Sequence, residues 1–178
     1  DEFPFGQKTF NCNAVKCYDG LNERYPFEKI YQAVDEFNSK NNLVKKGAAV
    51  IPICFGISFT TTFLNQASAL VHIYTDGSVN ISTAAVEMGQ GVNAKMKRIA
   101  ARTLSIDESR IKVESTNTSR VSNTSPTAAS KGTDLNGFAV IDACNILNER
   151  LQKVAAKEFG ENDPSTISFK NEKVFYEG

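Results

Sequence analysis

Two short stretches combine residue types and spacing suited to ligand chemistry: Glu87-Met88-Gly89-Gln90-Gly91, and Ser125-Pro126-Thr127-Ala128-Ala129-Ser130-Lys131-Gly132-Thr133. Each runs into a segment with helical periodicity. Backbone N–H groups at a helix start have no intrahelical partner, and glycine lets a ligand approach the main chain, so each stretch predicts an anion cradle. In the second, Ala128 and Ala129 permit close approach, and Ser130 and Thr133 offer hydroxyl donors to a phosphate. Neither is a Walker A loop, because no Gly-Lys-Ser/Thr follows, and the three-glycine dinucleotide fingerprint is missing. Local physics leaves two plainer readings open: an ordinary tight turn for the first stretch, a polar capping loop for the second.

Other chemistries have few candidate residues. His72 is the single histidine and lies in an alternating apolar run, which reads as structural; a Cys-His or Ser-His-Asp unit would have to use it. The four cysteines are Cys12, Cys17, Cys54 and Cys144, and the one close pair matches neither a zinc knuckle nor a Cys-x-x-Cys redox motif. Scattered thiols suit a reducing, cytoplasmic setting, and no metal site is expected. Paired-carboxylate catalysis is not indicated, since Glu87 is the only acid within either turn.

The elements that must position these turns belong to a chain of 178 residues, 41% hydrophobic and 22% charged, values of a packed water-soluble domain rather than a disordered or fibrous one. Twenty basic and twenty acidic residues leave a formal net charge of zero, with no overall field to draw nucleic acid or an anionic membrane. The longest apolar runs, around Ala48 to Phe55 and Ala67 to Tyr74, fall well short of the roughly 20 residues a bilayer span needs. The opening Asp1-Glu2-Phe3-Pro4-Phe5 lacks an initiating Met and a signal segment, which points to a fragment of a longer chain.

Residues 1–25 show no sustained period and read as a loop or arm. Phe27, Ile30, Tyr31, Val34 and Phe37 follow a helical face that starts near Pro26 and ends around Asn38 to Asn42. Ala48 to Ile51 and Cys54 to Thr60 favour strand, with Pro52 and Gly56 as breaks. Ala69 to Thr75 and Ser78 to Thr83 flank Asp76-Gly77, which predicts a two-residue type I′ hairpin. Val92, Met96, Ile99, Ala100 and Thr103 mark the next helix, and Arg110 to Ser115 a short strand before a polar loop over 116–130. Asp134 or Thr133 is the expected cap of a longer helix carrying Leu135, Phe138, Ile141, Leu147, Leu151, Val154 and Ala155, closing near Gly160. Thr166 to Phe169 and Lys173 to Tyr176 complete the chain as strands. The expected fold is α+β, a two-layer arrangement with a mixed sheet and a hairpin-helix-strand-helix-strand core. Residues 1–47 form an arm plus amphipathic helix, and 48–178 the main domain.

Phe55-Gly56-Ile57-Ser58-Phe59, Leu64-Asn65-Gln66-Ala67, Tyr74-Thr75-Asp76-Gly77-Ser78-Val79, Glu87-Met88-Gly89-Gln90-Gly91 with Lys95-Met96, and Ser125-Pro126-Thr127-Ala128-Ala129-Ser130 together resemble the molybdenum-binding subunit of xanthine dehydrogenase and its aldehyde oxidase relatives. The resemblance runs from about Phe5 to Leu151. It implies a molybdenum hydroxylase, in which molybdenum on a pterin dithiolene inserts a water-derived oxygen into a purine or aldehyde. It further implies that Gly89 and Gln90 hold the molybdopterin with Met88 and Gly91 shaping that cofactor-binding turn, that Ala129 lies beside the metal centre with Ala128 adjacent, and that Ser130 is nearer the pterin and its phosphate. The family's base glutamate stands in a later Gly-Glu motif, and Gly160-Glu161 lies outside that context; the Phe-Gly-Gly turn is absent too. No catalytic residue is therefore expected here, no turnover by this polypeptide alone, and the FAD and 2Fe-2S centres are expected in partner domains or subunits. Two other readings stand beside it: a non-catalytic binding or assembly module of the same fold, and a small phosphate- or nucleotide-binding domain.

Overall fold

The computed structural model describes residues 2–3, 6–121 and 124–176. Asp1, Pro4 and Phe5, part of the irregular opening expected from the sequence, lie outside the described residues. The chain divides into two compact units, Asp1–Phe55 and Gly56–Gly178, where the sequence pattern suggested a division after Gly47.

The first unit holds helices α1 (Ala14–Arg24) and α2 (Phe27–Lys40). Helix α2 is the one the periodicity predicts. Helix α1 replaces the loop expected over 1–25: Val15, Tyr18 and Leu21 recur at helical spacing, and the Tyr18 ring meets the Phe27 ring edge-on at 5.1 Å. Asn22 Oδ1 accepts from the Phe27 N–H at 3.0 Å, so α1 supplies the cap of α2. The β-branched run at 48–60 forms no strand. Pro52 and Gly56 interrupt it, and with Ile51 80% and Ile53 89% exposed it has no neighbouring strand to pack on.

The second unit is built on a sheet of order β1-β2-β3, with β1 (Ala69–Ile73) antiparallel to β2 (Val79–Thr83) and β3 (Ile111–Val113) parallel to β2. The parallel pair requires a crossover, which helix α3 (Val92–Leu104) provides. Helix α4 (Gly132–Glu158) packs on α3 and on β1, and β4 (Ile167–Lys170) with β5 (Lys173–Tyr176) forms a second hairpin beside α4. Val79 and Ile81 from the sheet, Met96, Ala100 and Leu104 from α3, and Val140 and Cys144 from α4 form one buried core. This is the α+β, mixed-sheet, two-layer arrangement read from the sequence.

Three local expectations are corrected. The hairpin between β1 and β2 is not type I′, because Asp76 does not take positive φ; Thr75 and Asp76 form the turn, Gly77 follows at φ 79°, and the Tyr74 N–H donates to the Ser78 carbonyl at 2.8 Å. Asp76 Oδ1 accepts from both the N–H and the hydroxyl of Ser78, which favours this three-residue loop. Helix α4 begins with Lys131 at its cap position and no side-chain cap, so Thr133 and Asp134 lie inside the first turn. Its buried line is Gly137, Val140 and Cys144, while Phe138, Leu151 and Val154 are exposed. Close approach of α3 selects that line: a Cβ on Gly137 would stand 2.8 Å from Ile99 Cδ1.

Candidate ligand-binding site

The turn before α3 bends through two glycines in the left-handed region, Gly89 at φ 97° and Gly91 at φ 76°. A Cβ at either position would meet nothing within 4 Å, so the space over this main chain is open. Its amides, however, are already used. Glu87 Oε1 accepts from the N–H groups of Gly89 and Gly91 at 2.9 Å each, and Oε2 accepts from the Asn93 N–H at 3.0 Å. These donations, Asn93's first, hold the Glu87 carboxyl below its ordinary range. The anion cradle expected here is thus filled by the protein's own carboxylate. The Gln90 amide closes the turn from the other side, its Nε2 donating to the Val86 carbonyl at 2.8 Å and its Oε1 accepting from the Met88 N–H at 2.6 Å.

The turn before α4 follows another plan. Ala129 and Ser130 adopt φ 54° and 51°, a left-handed pair built without glycine, and each costs roughly 1 kcal/mol. Because α4 lacks a side-chain cap, the N–H groups of its first turn remain available to solvent or a ligand. Lys131 turns its side chain inward: it is 2% exposed, and its ammonium donates to the Leu64 carbonyl at 3.1 Å and to the Ser125 hydroxyl, itself bonded to the same carbonyl. No carboxylate pairs with it among the described residues, and burial holds its pKa below the usual lysine value. Asn65 bonds both the N–H and the carbonyl of Phe59, which steadies the loop beneath that ammonium.

The fold brings the two turns together. The Val86 N–H donates to Thr127 Oγ1 at 3.0 Å, and the Thr116 hydroxyl donates to the Ala85 carbonyl at 2.7 Å. Between the turns lies a cleft of about 290 Å³. Of the residues singled out in the sequence, Met88, Gln90, Ala128 and Ser130 line it; Gly89 and Gly91 shape one wall and Ala129 the other. Val92, Thr127, Lys131 and Gly132 line it as well, as do Thr133, the second hydroxyl expected from the sequence, and the acidic Asp134. Sequence reasoning passed over Thr127 and Lys131 as binding residues, although both lie inside the second turn. Glu87, set aside as a catalytic acid, acts on main chain instead.

No cluster of three or more His, Cys, Asp or Glu side chains stands ready for a metal among the described residues. His72 is exposed, with its ring 4.5 Å from that of Tyr74, and does not line the cleft. No described helix is long and apolar enough to cross a membrane.

The model of the molybdopterin cofactor-binding domain family matches residues 20–177. A xanthine dehydrogenase/oxidase of Gallus gallus is 45% identical over 150 residues, which is 84% of this chain and 11% of that protein. Xanthine dehydrogenase 1 of Arabidopsis thaliana is 46% identical over 151 residues, 85% of this chain and again 11% of the relative. The chain therefore spans about a tenth of the length of these relatives. Among solved structures, quinoline 2-oxidoreductase from Pseudomonas putida 86 superposes with a TM-score of 0.81 at 21% identity, over 100% of this chain and 23% of that one, a likeness of fold.

Proposed function

Because the chain belongs to the molybdopterin cofactor-binding domain family, we propose that the cleft between its two turns seats molybdopterin as part of a xanthine dehydrogenase-like molybdenum hydroxylase. One observation carries this reading: turns separated by the whole of α3 and β3 are bonded together around one cleft, with glycine backbone on one side and Ala128, Ser130 and Gly132 on the other. The residues present fit a broad, flat, anionic ligand. Open space stands over Gly89 and Gly91, Ala128 and Gly132 add little bulk to the opposite wall, and the uncapped start of α4 suits a phosphate.

In this reading Met88, Gly89, Gln90 and Gly91 hold one side of the pterin, and Ala128, Ala129 and Ser130 the other, with Ala129 toward the metal. When bound, the cofactor supplies oxygen transfer from water to an electron-poor carbon and accepts the two electrons released. This chain's share is to bind and orient. Met88 contributes an exposed thioether face to the cleft, and Gln90 presents an amide that can exchange its local bonds for ligand bonds. Glu87 is committed to three N–H groups and is no free base. The substrate is a purine or an aldehyde, the base comes from elsewhere in the parent protein, and FAD and 2Fe-2S centres in other domains or subunits carry electrons away. A cytoplasmic setting agrees with the four free thiols. The isolated chain does not turn over.

The test is Gln90→Ala in the parent protein, reading pterin content by fluorescence after oxidative release. A severalfold loss of pterin at unchanged protein yield supports the reading. Unchanged content moves the chain to the assembly-module alternative.

A further inference from the structure

We propose that Glu87 is the positioning residue of the ligand-facing turn, presetting Gly89 to Gly91 and keeping other anions off the start of α3. The inference rests on reading the cleft as the pterin seat only for the identity of the ligand; the geometry stands without it.

Glu87 precedes the helix it serves by a full turn of irregular chain, so it is not an ordinary cap. The N-cap position belongs to Gly91, which has no side chain to offer. A carboxylate reaching forward from Glu87 satisfies Asn93 inside the helix with one oxygen, and Gly89 and Gly91 ahead of it with the other. This closes a ring of main chain around the carboxylate. Gln90 is the residue left at the outside of that ring, and its amide lines the cleft. Conformations at Gly89 and Gly91 that the unfolded chain visits only in part are thereby fixed before any ligand arrives.

Charge adds a second consequence. Unpaired N–H groups and the helix dipole make a helix start attractive to anions. Here a resident carboxylate occupies those groups, held in its ionised form by the same bonds. A ligand at this wall therefore meets open glycine backbone and a neutral amide, and the Gly89, Gly91 and Asn93 donors are already taken.

The inference is tested on the chain itself, with inorganic phosphate as the probe and amide NMR as the readout. In the native protein, the Gly89, Gly91 and Asn93 signals should not move as phosphate is added. In Glu87→Ala, their hydrogen exchange should accelerate on the order of tenfold, the equivalent of one lost capping interaction, and phosphate should shift the signals and slow exchange again. Glu87→Gln keeps one acceptor for Gly89 and Gly91 but replaces the oxygen that serves Asn93 with a donor, so if the alanine variant does not fold, faster exchange and a phosphate response at Asn93 give the reading. Native signals that follow phosphate, or variant signals that exchange at the native rate and ignore it, overturn the proposal. In the parent protein, Glu87→Ala should also lower pterin content with Gln90 intact, and undiminished content overturns the positioning role. Because the phosphate experiments contain no pterin, failure of the cofactor reading and failure of this one remain distinct.

Discussion

The Lys131 ammonium lies 5.1 Å from the centre of the Phe59 ring while it donates to the Leu64 carbonyl at 3.1 Å. A cation buried against a ring and a carbonyl, with no carboxylate paired to it among the described residues, has exchanged hydration for weaker partners. Its benefit is mechanical: it ties the loop around residues 59–65 to the turn that walls the cleft. Lys131→Met keeps the packed stem and removes the charge, so urea unfolding should change by about 1 kcal/mol or less. Lys131→Ala leaves a cavity, with the Leu64 carbonyl still held by the Ser125 hydroxyl, and should cost about 2–4 kcal/mol.

Cys144 is fully buried, and burial pushes its thiol up to about 11 from an ordinary value of 9.0. The folded protein then keeps a proton that the unfolded chain releases, so stability falls as pH rises from about 9 to about 11. Lys131, its pKa lowered from 10.5, acts with the opposite sign, since the unfolded chain binds the extra proton and stability rises toward that pH. Denaturant midpoints measured across this range should decline less in Cys144→Ala than in the native protein. Under native conditions iodoacetamide should modify Cys12, Cys17 and Cys54, which are exposed, and should reach Cys144 only after denaturation, as intact mass will show.

Gly137 lies where α3 and α4 approach. Alanine there gains helix propensity of about 1 kcal/mol, but its Cβ displaces the Ile99 terminal methyl from 2.8 Å. That methyl can rotate, so Gly137→Ala should leave the melting temperature within a few degrees of native. Gly137→Val adds branches with nowhere to go and should destabilise by about 2–3 kcal/mol.

The Glu87 carboxyl has its pKa lowered from 4.5 by backbone bonds. A depressed folded pKa means stability that is present above the unfolded value and lost as pH falls through the folded one. Acid unfolding of Glu87→Gln should therefore be shallower below pH 4.5 than that of the native chain, followed by circular dichroism at fixed salt.

Periodicity made α2, α3, the first hairpin and the closing strands legible, because each carries its apolar residues at the spacing of its element. It misled where burial was decided by fit rather than by hydrophobicity: α4 turns Gly137 and Cys144 inward and leaves Phe138 outside, since only small side chains admit α3. The run at 48–60 has strand composition but no strand to pair with, and composition cannot supply a partner. The two turns announced themselves by glycine, alanine and serine ahead of helices. What Glu87 and Lys131 do there was hidden, because a charged residue in a polar loop is ordinarily solvated. Only the folded chain shows one carboxylate wrapped by amides and one ammonium under a loop.

The part of the cleft that is walled by main chain is nearly silent to alanine scanning. Ala128 and Ala129 are already alanine, and Gly89→Ala or Gly91→Ala would register as backbone strain rather than as lost contact. A mutational map of this region would register Met88, Gln90 and the polar side chains of the second turn, and would understate how much main chain a ligand touches. Amide-to-ester replacement at Gly132 or Thr133, which deletes one donor and leaves every side chain in place, is the substitution that such a wall would report.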